Sequence, residues 1–156
     1  MKLTTSLIAL AIFITAGVTA LPAPIQDKTL VAWLYLTHTN QQGGSVLTLI
    51  DQAEHCDAIV FGEVARGKWM AGSDFHRRTE RKQDTWVAET ADAGTLVQVA
   101  AVYAGNEVTV YRNGSEYSRH AIKEPQQFGA GSVVMIGPRH ADRKSTRLNS
   151  SHRIRS

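Results

Sequence analysis

Between residues 69 and 86 the chain gathers Trp69, Asp74, Phe75, His76, Arg77, Arg78 and Trp86. Aromatic rings stack on the apolar C–H face of a sugar ring, while carboxylates and guanidinium groups bond its hydroxyls. This mixture therefore suits carbohydrate recognition by loops on a rigid scaffold. Trp69, Asp74, Phe75, Arg77, Arg78 and Trp86 are accordingly the candidate ligand-binding residues. A second reading stays open on the same residues. In it Trp69 and Phe75 pack inside the fold, and Arg77, Arg78, Arg81 and Lys82 solvate a loop whose charge is offset by Glu80, Asp84 and Glu89.

Catalytic chemistry has less to stand on. Glycoside hydrolysis needs two carboxyl groups facing one cleft about 5 Å or more apart, which a strand supplies by placing acids at alternate positions. No E-x-D-x-E pattern occurs, and Asp57 and Glu63 stand alone. Glu89 and Asp92 fall in a stretch without the apolar context that raises a pKa. His55-Cys56-Asp57 suggests a nucleophile with its base, or part of a metal site. Adjacent strand residues point to opposite faces, however, and no C-x-x-C or H-x-x-x-H spacing accompanies them. Cys56, the one cysteine, is expected to behave as a small hydrophobe. No catalytic residue is assigned.

The elements that carry these residues read as strands. Asn113-Gly114 suits the two central positions of a type I′ turn, so Val108–Arg112 is expected to fold back onto Glu116–Ile122. Upstream, Thr29 to Thr37 (T-L-V-A-W-L-Y-L-T) is nearly all apolar, as in a strand buried on both faces. Ser45 to Asp51, Asp57 to Glu63, Lys68 to Gly72, the apolar run from Thr95, and Gly131 to Gly137 complete a series of short strands separated by turn residues. That pattern argues for an all-β antiparallel β-sandwich. Ser73 to Ala93 lacks apolar periodicity and reads as a long surface loop with room for one helical turn. Loops of that length are uncommon in compact domains and often functional.

The motif V-T-V-Y-R-N-G-S-E-Y after an apolar strand with Val99, Ala101 and Tyr103 resembles the laminin-G-like or concanavalin A-like jelly roll. Thr29–Thr37 resembles its opening strand, with Trp33 as a core aromatic. K-W-M-A-G-S-D-F at Lys68–Phe75, with A-I-V-F-G-E, A-E-T-A-D, T-L-V-Q-V-A and V-V-M-I-G, is similar to modules attached to bacterial fructan-degrading glycoside hydrolases. The resemblance covers about Lys28 to His140. It implies a non-catalytic module that binds carbohydrate or packs against a downstream catalytic domain, or an adhesion domain that never touches sugar. The five-bladed catalytic domain and its W-x-N-D-P-N-like signature are absent from this sequence. No cofactor is implied other than calcium, which such domains can hold through Asp side chains. Asp51, Asp57, Asp74 and Asp92 are scattered, and no ligand set is assigned. Family members carry further strands that close the jelly roll beside the first. The fold is therefore expected to be truncated at its C-terminal strands, with an open edge and insoluble or oligomeric behaviour.

The termini set the remaining boundaries. Lys2, the apolar stretch Leu7–Ala16 and Val18-Thr19-Ala20 form a secretory signal pattern over residues 1–20. A linker over 21–27 and a jelly-roll domain over 28–141 follow. The expected location is secreted or periplasmic, with no membrane partner once the signal is cleaved. Asp142 to His152 (D-R-K-S-T-R-L-N-S-S-H) resembles a codon-by-codon translation of a common sequencing-adapter oligonucleotide, so residues 142–156 are read as a non-native tail. The chain's net charge is +3, of which the tail contributes +4. The remainder is close to neutral, which removes the charge argument for a nucleic-acid partner.

Overall fold

The computed structural model describes residues 23–137, and the signal-like segment and the tail lie outside them. Eight strands follow in order: β1 (Lys28–Tyr35), β2 (Ser45–Ile50), β3 (Cys56–Phe61), β4 (Trp69–Ser73), β5 (Leu96–Ala104), β6 (Glu107–Arg112), β7 (Ser115–Ala121) and β8 (Val133–Ile136). They form two four-stranded sheets in the orders β1-β5-β6-β7 and β4-β3-β2-β8, and all the pairings are antiparallel. The chain is thus an antiparallel β-sandwich, as the strand pattern implies.

The hairpin over β6 and β7 forms where the turn chemistry places it. Asn113 and Gly114 have φ of 48° and 80°, and Arg112 pairs with Ser115 across them. One bulge between Val110 and Tyr111 then shifts the register, so that Val110 faces Ser118.

Period-2 alternation sorts side chains between the layers. Val97, Val99, Ala101 and Tyr103 of β5 and Val108 and Val110 of β6 turn inward against Ile59, Phe61, Trp69 and Ala71. β3 and β4 are buried along their whole lengths, because the second sheet is covered on both sides there. Ile59 and Phe61 face the sandwich interior, while Ala58 and Val60 join Met70 under Val64 and Trp86 on the outer face.

β1 departs from expectation. Leu30, Ala32 and Leu34 enter the core, whereas Trp33 and Tyr35 are 62% and 63% exposed. Trp33 is therefore not a core aromatic. Its side of the first sheet has no covering layer among the described residues, so a run of apolar residues there does not become a doubly buried strand.

The two sheets are staggered. β1 packs across the interior on β2, β5 on β3 and β6 on β4. β7 therefore overhangs one flank of the sandwich and β8 the other.

Candidate functional site

After β4 the chain enters the expected surface loop with a helical turn at its start, but the loop is anchored by buried side chains. A short 3-10 turn, Asp74–His76, is followed by a segment that returns to the protein surface and buries Arg78, Thr79, Gln83 and Glu89. Arg78 is the anchor. Its Nε donates to Asp57 Oδ1 at 2.8 Å, and its Nη2 donates to Asp74 Oδ1 at 2.6 Å and to the Cys56 carbonyl at 3.0 Å. Lys28 Nζ lies 2.8 Å from the other oxygen of Asp57 and over the rings of Tyr103 and Phe128. Two cations and two carboxylates thus compensate one another at one end of the sandwich, all with nearly inaccessible side chains. Burial alone would raise the Asp74 carboxyl pKa. The Arg78 hydrogen bond, the Cys56 amide and the Arg78 charge outweigh it and hold the group below its ordinary value. Burial likewise opposes the Arg78 charge, and the Asp57 and Asp74 carboxylates overcome it, leaving the guanidinium pKa raised.

This network supports a strained turn. Phe75 has φ 48° and ψ 25°, and His76 has φ 55°. Bulky side chains rarely adopt the left-handed region, and such outliers cost on the order of 1–3 kcal/mol unless the surroundings over-determine them. Here Asp74 is locked from below by Arg78, the Arg77 amide donates to the Asp74 carbonyl, and the Arg78 amide donates to Ser73 Oγ. The turn leaves Phe75 88% exposed. Among the described residues the non-glycine positions with positive φ are Glu54, Phe75, His76 and Asn113. Asn113 makes the hairpin turn, and the other three line one cavity of about 310 Å³. Its walls also carry His55, Glu63 and Arg77. The Arg77 guanidinium sits 5.7 Å from the Phe75 ring centroid, His76 Nε2 is 3.7 Å from Glu63 Oε1, and His55 Nδ1 is 2.9 Å from Asp51 Oδ2.

The candidates from the sequence therefore divide. Phe75 and Arg77 stand in the cavity with accessible side chains, and Asp74 forms part of its wall while its carboxylate is committed to Arg78. Trp69 is not a ligand-stacking residue. It has no exposed surface, packs at 4.5 Å on Phe61, and donates its indole N–H to Glu89 Oε2 at 2.7 Å. Arg78 is corrected in the same sense, since a guanidinium 5% exposed and shared between two carboxylates has nothing left for a sugar hydroxyl. Trp86 lies away from the cavity, covering Val60 and Met70 and meeting Tyr117 edge-on at 6.0 Å. The solvated-loop alternative is corrected at Phe75, which is outside the core, and at Arg78, which is inside. His55, Glu54 and Glu63 come to the cavity from either end of β3, and no local spacing announces that convergence.

Chemically the cavity offers an aromatic face, two imidazoles, carboxylates and a guanidinium. Asp74 is kept ionised, the opposite of what a general acid at neutral pH requires. Cys56 is buried at the start of β3, and its amide donates to Asp74 Oδ1. No cluster of three or more His, Cys, Asp or Glu side chains suited to a metal ion occurs among the described residues. Nor, among them, is any helix long and apolar enough to cross a membrane.

A family model described as the concanavalin A-like lectin/glucanases superfamily matches residues 14–150. No curated protein matches the chain.

Proposed function

We propose that this chain, which belongs to the concanavalin A-like lectin/glucanases superfamily, binds carbohydrate without transforming it, in the cavity beside Phe75. The supporting observation is the Phe75 ring, 88% exposed on a left-handed turn that a buried ion network holds in place. Soluble folds rarely keep a strained aromatic in water for stability alone. A pyranose or furanose ring stacked on Phe75 has Arg77, His55 and Glu63 within the same cavity to bond its hydroxyls. On this reading the domain is exported and serves a glycoside hydrolase encoded with it.

Affinity electrophoresis through gels containing fructan, β-glucan or galactan tests the proposal. The chain is expected to be retarded by at least one polymer, and Phe75→Ala is expected to abolish retardation without lowering the melting temperature. Retardation by none of them, or retardation unchanged in Phe75→Ala, removes the sugar-binding reading. A packing module that never touches sugar is the second reading, and it is favoured by the apolar strand β8, where Val133, Val134 and Ile136 stand exposed.

A further inference from the structure

A second cavity, of about 540 Å³, adjoins the one beside Phe75, and His55 and Arg77 stand in the walls of both. Its far wall belongs to the crossover that carries the chain from β7 in the first sheet to β8 in the second. Two buried anchors fix that crossover. The Ile122 amide donates to the Asn106 carbonyl at 2.8 Å, and Phe128 exchanges backbone hydrogen bonds with Ile25. Between the anchors Lys123 and Glu124 are exposed. Gln126 Nε2 donates at 3.3 Å to the same Asp51 oxygen that His55 Nδ1 meets at 2.9 Å. The crossover and the shared wall are therefore tied to one carboxylate.

The two cavities differ in what they can hold. The first has the Phe75 ring and sets Glu54, Glu63 and Asp74 around the Arg77 guanidinium. The second has no aromatic residue in its walls, and Glu124 is its one carboxylate against Arg77 and Lys123. Arg78 lines it too, but that charge is already matched by Asp57 and Asp74. Lys123 makes no ion pair among the described residues, and Arg77 Nε stands 3.6 Å from Asp74 Oδ2, beyond hydrogen-bond distance. A neutral sugar unit in the second cavity would only exchange hydroxyl bonds with water for equivalent bonds to protein. A carboxylate gains charge-assisted bonds from both cations, roughly twice as strong as neutral ones, and the planar arginine fork matches it. We propose, building on the carbohydrate reading of the Phe75 turn, that the two cavities form one groove for a polysaccharide chain and that the second takes a uronate. The uronate carboxylate is held by Arg77 and Lys123, next to a neutral unit stacked on Phe75. The acids around Phe75 repel that same carboxylate, which fixes the order of the two units in the groove.

Isothermal titration tests the groove, using oligosaccharides of rhamnogalacturonan, gellan and hyaluronan, in which neutral units adjoin uronates, each against its own methyl ester. At least one acid form is expected to bind about ten-fold more tightly than its ester at low ionic strength, with the advantage fading as salt is raised. Lys123→Ala is expected to bring the acid down to the affinity of the ester, and Phe75→Ala to lose both. Equal affinities for acid and ester, or an acid preference unmoved by Lys123→Ala, overturns the proposal and leaves the Phe75 reading in place. Dextran sulfate displacing the uronate as effectively at equal charge assigns the preference to bulk charge and also overturns it. Binding of neither form of any of the three overturns it as well, and the neutral polymers then decide the Phe75 reading separately.

Discussion

The two flanks of the sandwich meet the same geometric problem differently. Each sheet overhangs the other by one strand, β7 on one side and β8 on the other. Beside β7 the segment after β4 fills the space. The Tyr117 hydroxyl donates to the Val87 carbonyl, Trp86 packs on the Tyr117 ring, and His120 Nε2 is 3.0 Å from the Arg78 carbonyl. Glu89 ties the layers together by accepting from Trp69 at 2.7 Å and from Arg112 at 2.7 Å. The β7 edge itself carries the ion pairs of Arg119 with Glu116 and Glu107. Beside β8 there is no such filler among the described residues, and the apolar side chains face water. A staggered sandwich thus needs material from outside its sheets at both flanks. This chain spends its longest loop on one of them, and the same loop builds the cavity.

The largest effect is expected from removing the anchor of the closed flank. Arg78→Ala leaves Asp57 and Asp74 buried with their main cation gone, and is expected to destabilise the fold by about 3–5 kcal/mol in urea unfolding. A loss below about 1 kcal/mol would mean that the loop is merely draped over the sheet. Next in size, Glu89→Ala strands the Trp69 indole N–H and Arg112, with an expected cost of about 2–3 kcal/mol.

The same groups give the fold an acid limit. Burial raises the Glu89 pKa, but hydrogen bonds from Arg112, Trp69 and the Ala91 amide and the charge of Arg112 hold it below 4.5, as Asp74 is held below 3.8. A carboxyl whose pKa is lower folded than unfolded contributes its full stability above the unfolded value and loses it as pH falls through the folded one. The melting temperature should therefore be flat near neutrality and fall below about pH 4.5, with a shallower fall in Glu89→Gln. An acid branch identical in that variant would remove Glu89 from the explanation.

Smaller effects separate the strained turn and the open flank. Phe75→Gly relaxes the left-handed backbone and should stabilise the fold by about 1 kcal/mol while removing the stacking face. Ile136→Thr should change unfolding by no more than about 0.5 kcal/mol, because the side chain is already exposed. A cost of 2 kcal/mol or more, of the size a core residue shows, would mean the flank is covered within one chain.

Sequence legibility followed the range of the interactions. The Asn113-Gly114 hairpin was readable because two residues fix its twist locally, and the period-2 strands from Thr95 onward were readable for the same reason. Trp33 was misread because alternation says which residues share a face, not whether a second layer covers it. Arg78 was unreadable as a buried group. A guanidinium among Arg77, Arg81 and Lys82 looks solvated until Asp57, 21 residues away on β3, is known to lie beneath it. Phe75 was legible as a candidate from its chemistry, whereas its cavity partners His55 and Glu63 required the β3–β4 register to bring them alongside.

We propose that recognition belongs to the turn held up by Arg78. Backbone amide chemical shifts, followed by NMR while fructan, β-glucan and galactan oligosaccharides are added, test it most directly. Saturable shifts confined to Glu54–His55 and Ser73–Arg77 and lost in Phe75→Ala are expected. Shifts centred instead on Trp33, Tyr35 and Leu96, or none with any of the three sugars, would contradict it.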